Sequence, residues 1–101
     1  HALVAADQAM GALAFDRAAR QYRMALELAP GGDEHRRHLQ RRLVEALTNA
    51  GREAEAAEVR LTLAASLEPT QALDEKRRAA EQLLRSGHHE RGATLLREVL
   101  F

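Results

Sequence analysis

Apolar residues recur along this chain at steps of three and four. Leu39, Leu43, Ala46, Leu47 and Ala50 form the clearest run, and Ala57, Val59, Leu61 and Ala64 follow the same spacing less strictly. This is the period of one helix face, so each segment carries an apolar stripe that must be covered. The stripes are separated by short breaks, each holding a Gly or Pro that helix interiors tolerate poorly: LAPGGDE at 28–34, NAGRE at 49–53, LEPTQ at 67–71 and RSGHHE at 85–90. A further break is expected between Gly11 and Phe15, with Asp16 as the cap of the segment that follows. The pattern predicts six helices, over 2–12, 16–29, 34–50, 53–67, 71–86 and 89–100, paired as three antiparallel hairpins. Asp33 and Thr70 stand where N-caps belong, and Gly51 and Gly87 where a helix ends in a left-handed residue.

The segments repeat. RRLVEALTNAGREAEAA at 41–57 returns as RRAAEQLLRSGHHERGA at 77–93, with Arg41, Arg42, Glu45, Leu47, Gly51 and Ala57 matched by Arg77, Arg78, Glu81, Leu83, Gly87 and Ala93 at one offset of 36 residues. A lone hairpin cannot bury both of its stripes, whereas stacked copies cover one another. The expected architecture is all-α, with units at about 1–32, 33–69 and 70–101.

Ala18, Tyr22, Ala25 and Pro30 reappear as Ala57, Leu61, Ala64 and Pro69 at an offset of 39 residues. This series of small, large, small and Pro, best seen in FDRAARQYRMALELAP at 15–30, resembles the second helix of a tetratricopeptide repeat, a family with a period of ~34 residues. The resemblance implies a short right-handed solenoid of helical hairpins in which Ala18 and Ala25 permit close helix approach, Tyr22 fills the gap, and Pro ends the helix. The chain departs from that pattern in its longer spacing, in Leu13 where a turn glycine belongs, and in Gly92, Leu96 and Val99 of the last unit. EALTNAGREAEAA and RRAAEQLLRSGHHERGATLLREVL also resemble helical segments beside serine/threonine kinase and ATPase modules of large bacterial signalling proteins. That resemblance implies an interaction or sensing arm, with any catalysis elsewhere in a parent chain.

Composition narrows the function classes. The 101 residues are 46% hydrophobic and 30% charged with a formal net charge of +0, as for a globular protein with no general attraction to nucleic acid or acidic membranes. Cysteine is absent, which excludes disulfides and thiolate chemistry. No apolar run is long enough to span a bilayer and the start is not a signal peptide, so a cytoplasmic protein is expected. The start at His1 and the apolar end TLLREVLF suggest a piece of a longer protein, with terminal helices available for homo-oligomer contacts.

Enzymatic chemistry finds no motif. His35, His38, His88 and His89 lack the spacing of a zinc site, the Ser and Thr residues lack a nucleophile elbow, and APGGDE lacks the Lys and Ser or Thr of a phosphate loop. No cofactor and no metal are expected. The candidates are the repeated RRxxE rows, Arg41, Arg42, Glu45 and Arg77, Arg78, Glu81, which the tetratricopeptide resemblance puts on the concave face. Two readings stand. In one the rows grip acidic side chains or a terminal carboxylate of another protein or of a neighbouring domain; in the other Arg41–Glu45 and Arg77–Glu81 pairs merely solvate a helix. Some tetratricopeptide proteins clamp a carboxylate with Lys and Asn, but Glu45 and Glu81 occupy the Asn positions here, so that activity is not carried over. Leu3, Val4 and Met10 are expected on the equivalent face of the first unit, as core, as an apolar pocket or as contacts with a preceding helix. The alternative function is a phosphate or nucleic-acid binder using Arg36, Arg37, Arg41 and Arg42, opposed by zero net charge and by few aromatic residues.

Overall fold

The computed structural model describes residues 2–28 and 34–101, and these form helices with no strand among them. Among the described residues there are five helices, not six: α1 (Ala2–Leu28), α2 (Glu34–Asn49), α3 (Glu53–Ala64), α4 (Pro69–Arg85) and α5 (His89–Leu100). The break expected at 11–15 does not occur, and α1 runs through it for 27 residues. The physical reason is local. A single interior Gly costs a helix only about 1 kcal/mol, and Gly11 is followed by Ala, Leu and Ala, with no Pro to remove a donor. Asp16 therefore lies mid-helix, where it binds Arg52 instead of capping.

The other boundaries follow their chemistry. After α2, the Arg52 amide donates to the Leu47 carbonyl at 2.8 Å and the Gly51 amide to Thr48 at 3.1 Å. After α4 the same pair recurs, from His88 to Leu83 at 2.8 Å and from Gly87 to Leu84 at 3.2 Å. Both are Schellman closures, and both require the left-handed residue that only glycine enters freely, with φ of +80° at Gly51 and +90° at Gly87. Pro69 does not end α3, which stops at Ala64; it opens α4 as its first residue, so Thr70 is inside the helix and Glu68 takes the cap position without a side-chain cap bond. Pro30, the PGG linker and the expected cap Asp33 lie outside the described residues, as do the side chains of Leu3 and Val4.

From α2 onward, connections of three or four residues turn each helix back on its predecessor, and the helix backbones touch only in sequence: α1 with α2, α2 with α3, α3 with α4, α4 with α5. The ends never meet. The radius of gyration is 14.8 Å, against about 13 Å for a compact domain of this length, and the extents are 46 × 34 × 17 Å. This is an open zigzag two helices thick. Side chains bridge alternate helices: Arg23 of α1 and Arg91 of α5 both reach α3, at Glu55 and Glu58, and Gln82 of α4 reaches Thr48 of α2.

The interior is two cores joined by α3. Ala19, Leu43, Val44, Ala46, Leu47 and Ala56 make the first, with Tyr22 and Leu26 packed on it. Ala57, Ala79, Ala80, Leu83 and Leu95 make the second, with Leu61 and Leu96. Adjacent Ala56 and Ala57 are both fully buried yet belong to different cores, which explains the loose stripe of α3: the helix is covered on two sides. From α1 the buried residue of this core is Ala19, with the partly buried Ala18 and Tyr22 packed beside it. At the far end Gly92 lets α5 lie against α4, since a Cβ there would sit 2.9 Å from Leu84 Cγ and 3.1 Å from the Ala80 carbonyl oxygen.

Candidate interaction groove

The even-numbered helices α2 and α4 form the walls of a 370 Å³ groove whose floor is α3. Helical spacing along α2 presents Arg41, Glu45, Thr48 and Asn49 to it, α4 presents Glu75 and Arg78, and Arg60 and Leu63 rise from the floor. The floor is held by a polar chain. Arg60 Nη1 donates to Glu75 Oε2 at 2.8 Å and its Nε to Gln82 Oε1 at 2.7 Å, while Gln82 Nε2 donates to Thr48 Oγ1 at 2.9 Å. Gln82 is 2% exposed and the side chains of Arg60 and Glu75 are each 16% exposed. Every buried side-chain nitrogen and oxygen among the described residues is paired, so this network fixes α2, α3 and α4 relative to one another.

The repeated rows do not behave alike. Arg41, Glu45 and Arg78 meet in the groove. Arg42 turns away toward α1, donating to the Tyr22 hydroxyl at 3.4 Å and approaching Glu45 at 3.7 Å. It lines, with Phe15, Ala18 and Tyr22, a smaller 150 Å³ hollow that shares Glu45 with the main groove. Arg77 is outside the groove lining, bound to Asp74 at 2.9 Å and to Glu81 at 2.6 Å. Of the two solvating pairs expected from the sequence, Arg77–Glu81 therefore forms, whereas Glu45 is taken by Arg42 and not by Arg41.

The two rows differ in a neighbouring carboxylate. Asp74 accepts from both Arg77 and Arg78, the latter at 3.0 Å, and these guanidiniums, Arg77 foremost, hold its carboxyl below the ordinary range. Thirty-six residues earlier the equivalent of Asp74 is His38. With no carboxylate there, Arg41 has no hydrogen bond or ion pair among the described residues, and neither has the side-chain amide of Asn49.

The remaining candidates are dispersed. Arg36 is half-buried, donates to the Leu26 carbonyl at the end of α1 at 3.1 Å, and lines a 280 Å³ hollow between α1 and α3, on the other side of α2 from Arg41. The four basic residues of α2 thus do not form one surface. His35, His38, His88 and His89 are exposed, and no three metal-ligating side chains converge among the described residues. Met10 is 68% exposed. No described helix is long and apolar enough to cross a membrane.

Sequence reading passed over Arg60, Glu75, Gln82 and Asn49. The signal available was polarity out of place: Gln82 stands one helical turn from Ala79 in an otherwise apolar face, and Arg60 interrupts the run from Ala57 to Ala64. No protein-family model, curated protein or solved structure matches the chain.

Proposed function

We propose that this chain is a protein-interaction module of the tetratricopeptide-like type, binding a peptide or a neighbouring domain of a parent protein on the face formed by α2 and α4, as a scaffold or sensing arm in signalling. The observation that supports this most is the groove itself. It lies open between two helices related by the 36-residue repeat, and its floor is a fully satisfied polar network that holds the walls in place before any ligand arrives. Preorganisation of that kind lowers the ordering cost of binding.

The test is selection of random twelve-residue peptides on the protein, with Asn49→Trp as a variant that fills the groove from an exposed position. Selected peptides should lose binding to Asn49→Trp while its helicity and melting match the parent. Peptides that bind the filled variant as well as the parent would refute the groove as the site.

A further inference from the structure

The groove is lined by three arginines and two glutamates, and so carries a formal excess of one positive charge. Its three arginines are not equivalent: Arg60 is spent on Glu75 and Gln82, and Arg78 on Asp74. Arg41 alone has its guanidinium unengaged. Asn49, two turns along the same face of α2, offers a side-chain amide, and Thr48, whose oxygen already accepts from Gln82, has its hydroxyl proton left to give. Of the two groove carboxylates, Glu75 is bound to Arg60 and Glu45 lies 3.7 Å from Arg42, which faces α1.

Resting on the interaction reading above, we infer that the ligand of this groove is an acidic peptide segment whose side-chain carboxylate binds Arg41, with Asn49 and Thr48 as further donors. A planar guanidinium and a carboxylate match in a two-bonded geometry, and their bonds are charge-assisted. The same inference assigns a role to a residue outside the groove. His38 is a specificity-determining position, because an acidic residue there would repeat the Asp74–Arg77 arrangement and occupy Arg41 internally. The two halves of the repeat have diverged at this position, and the divergence leaves one arginine available.

Binding is measured by fluorescence anisotropy with labelled ten-residue peptides of alternating Glu and Leu, amidated at the C-terminus, beside Gln and Lys versions and a Gln version with a free terminal carboxylate. The Glu peptide should bind at least about tenfold tighter than the amidated Gln peptide, the scale of one lost charged hydrogen bond. Arg41→Ala and His38→Asp should each remove that difference, and Arg77→Ala should leave it intact. His38→Asp alters no groove-lining residue, so its effect separates charge competition from damage to the groove.

The inference fails if Glu and Gln peptides bind alike, if only the free terminal carboxylate confers binding, if no Glu peptide binds at millimolar concentration, or if His38→Asp changes nothing. Should neutral or basic peptides bind and be displaced by Asn49→Trp, the carboxylate assignment falls and the interaction reading stands. Equal binding of all peptides to Asn49→Trp and parent removes both.

Discussion

Replacing Gly92 by Ala sets two opposing effects against each other, and a second glycine separates them. In a helix interior the change from Gly to Ala stabilises by about 1 kcal/mol, through reduced freedom of the unfolded chain and better helix propensity. At Gly11 nothing lies within 4 Å of the added carbon, so that gain should appear unopposed. At Gly92 the carbon would meet Leu84 Cγ at 2.9 Å, Leu84 Cδ2 at 3.0 Å and the Ala80 carbonyl oxygen at 3.1 Å. Leu84 is half-buried and can turn, but the carbonyl belongs to α4 itself, so α5 must move outward by a few tenths of an ångström. Overpacking of this kind costs about 1–3 kcal/mol. Propensity cancels between the two variants, so Gly92→Ala should be less stable than Gly11→Ala by about 1–3 kcal/mol. For a domain of this size each kcal/mol moves the melting temperature by about 4–8 °C, so the separation is well resolved by circular dichroism. Leu84→Ala in the Gly92→Ala background should recover part of the loss beyond additivity. If the two glycine variants melt together, the close approach of α5 to α4 is wrong. If Gly11→Ala destabilises, so is the unbroken α1.

Four further outcomes are expected. Arg60→Ala strands a nearly buried Gln82 oxygen and a shielded Glu75, and should cost ~1–3 kcal/mol by urea unfolding, whereas exposed Arg77→Ala should cost under ~1 kcal/mol. Leu43→Ala, at a residue only 1% exposed, should cost ~2–5 kcal/mol by the same measurement. Asp16 and Asp74 both have folded values below the ordinary 3.8, through Arg52 and Arg77 respectively. Their contribution to stability is complete above that ordinary value and is lost as pH falls through it toward the lowered folded value; Asp16→Asn should flatten this acid limb in a pH series of unfolding. Gly51→Ala and Gly87→Ala, each at a positive φ, should both destabilise, and by similar amounts, if the two Schellman closures are true equivalents.

How much could be read from the chain depended on whether the signal was local. The Schellman turns at Gly51 and Gly87 and the stripe of α2 are set by neighbouring residues, and Leu39, Leu43, Ala46 and Leu47 are buried as their spacing requires. The break expected before Asp16 is absent because the helix propensity of the residues around it outweighs the capping capacity of one aspartate, which bonds Arg52 instead. The groove was half legible. Repetition pointed to Arg41, Glu45 and Arg78, but the network of Thr48, Arg60, Glu75 and Gln82 spans three helices, and no spacing rule within one helix reveals it. The rows also suggested equal partners, while the structure separates Arg41 from Arg77 through Asp74 and its counterpart His38.

The position of α3, with Ala56 given to one core and Ala57 to the other, bears on how the molecule comes apart. Since helix backbones pack only against their neighbours in sequence, loop closure is cheap at every step and formation should be rapid, in the microsecond to millisecond class of local topologies. Loss of structure should begin at the termini and travel inward. Amide exchange would then be slowest in α3, which cannot open without dissolving both cores, so that this short alanine-rich helix sets the cooperativity of the whole array.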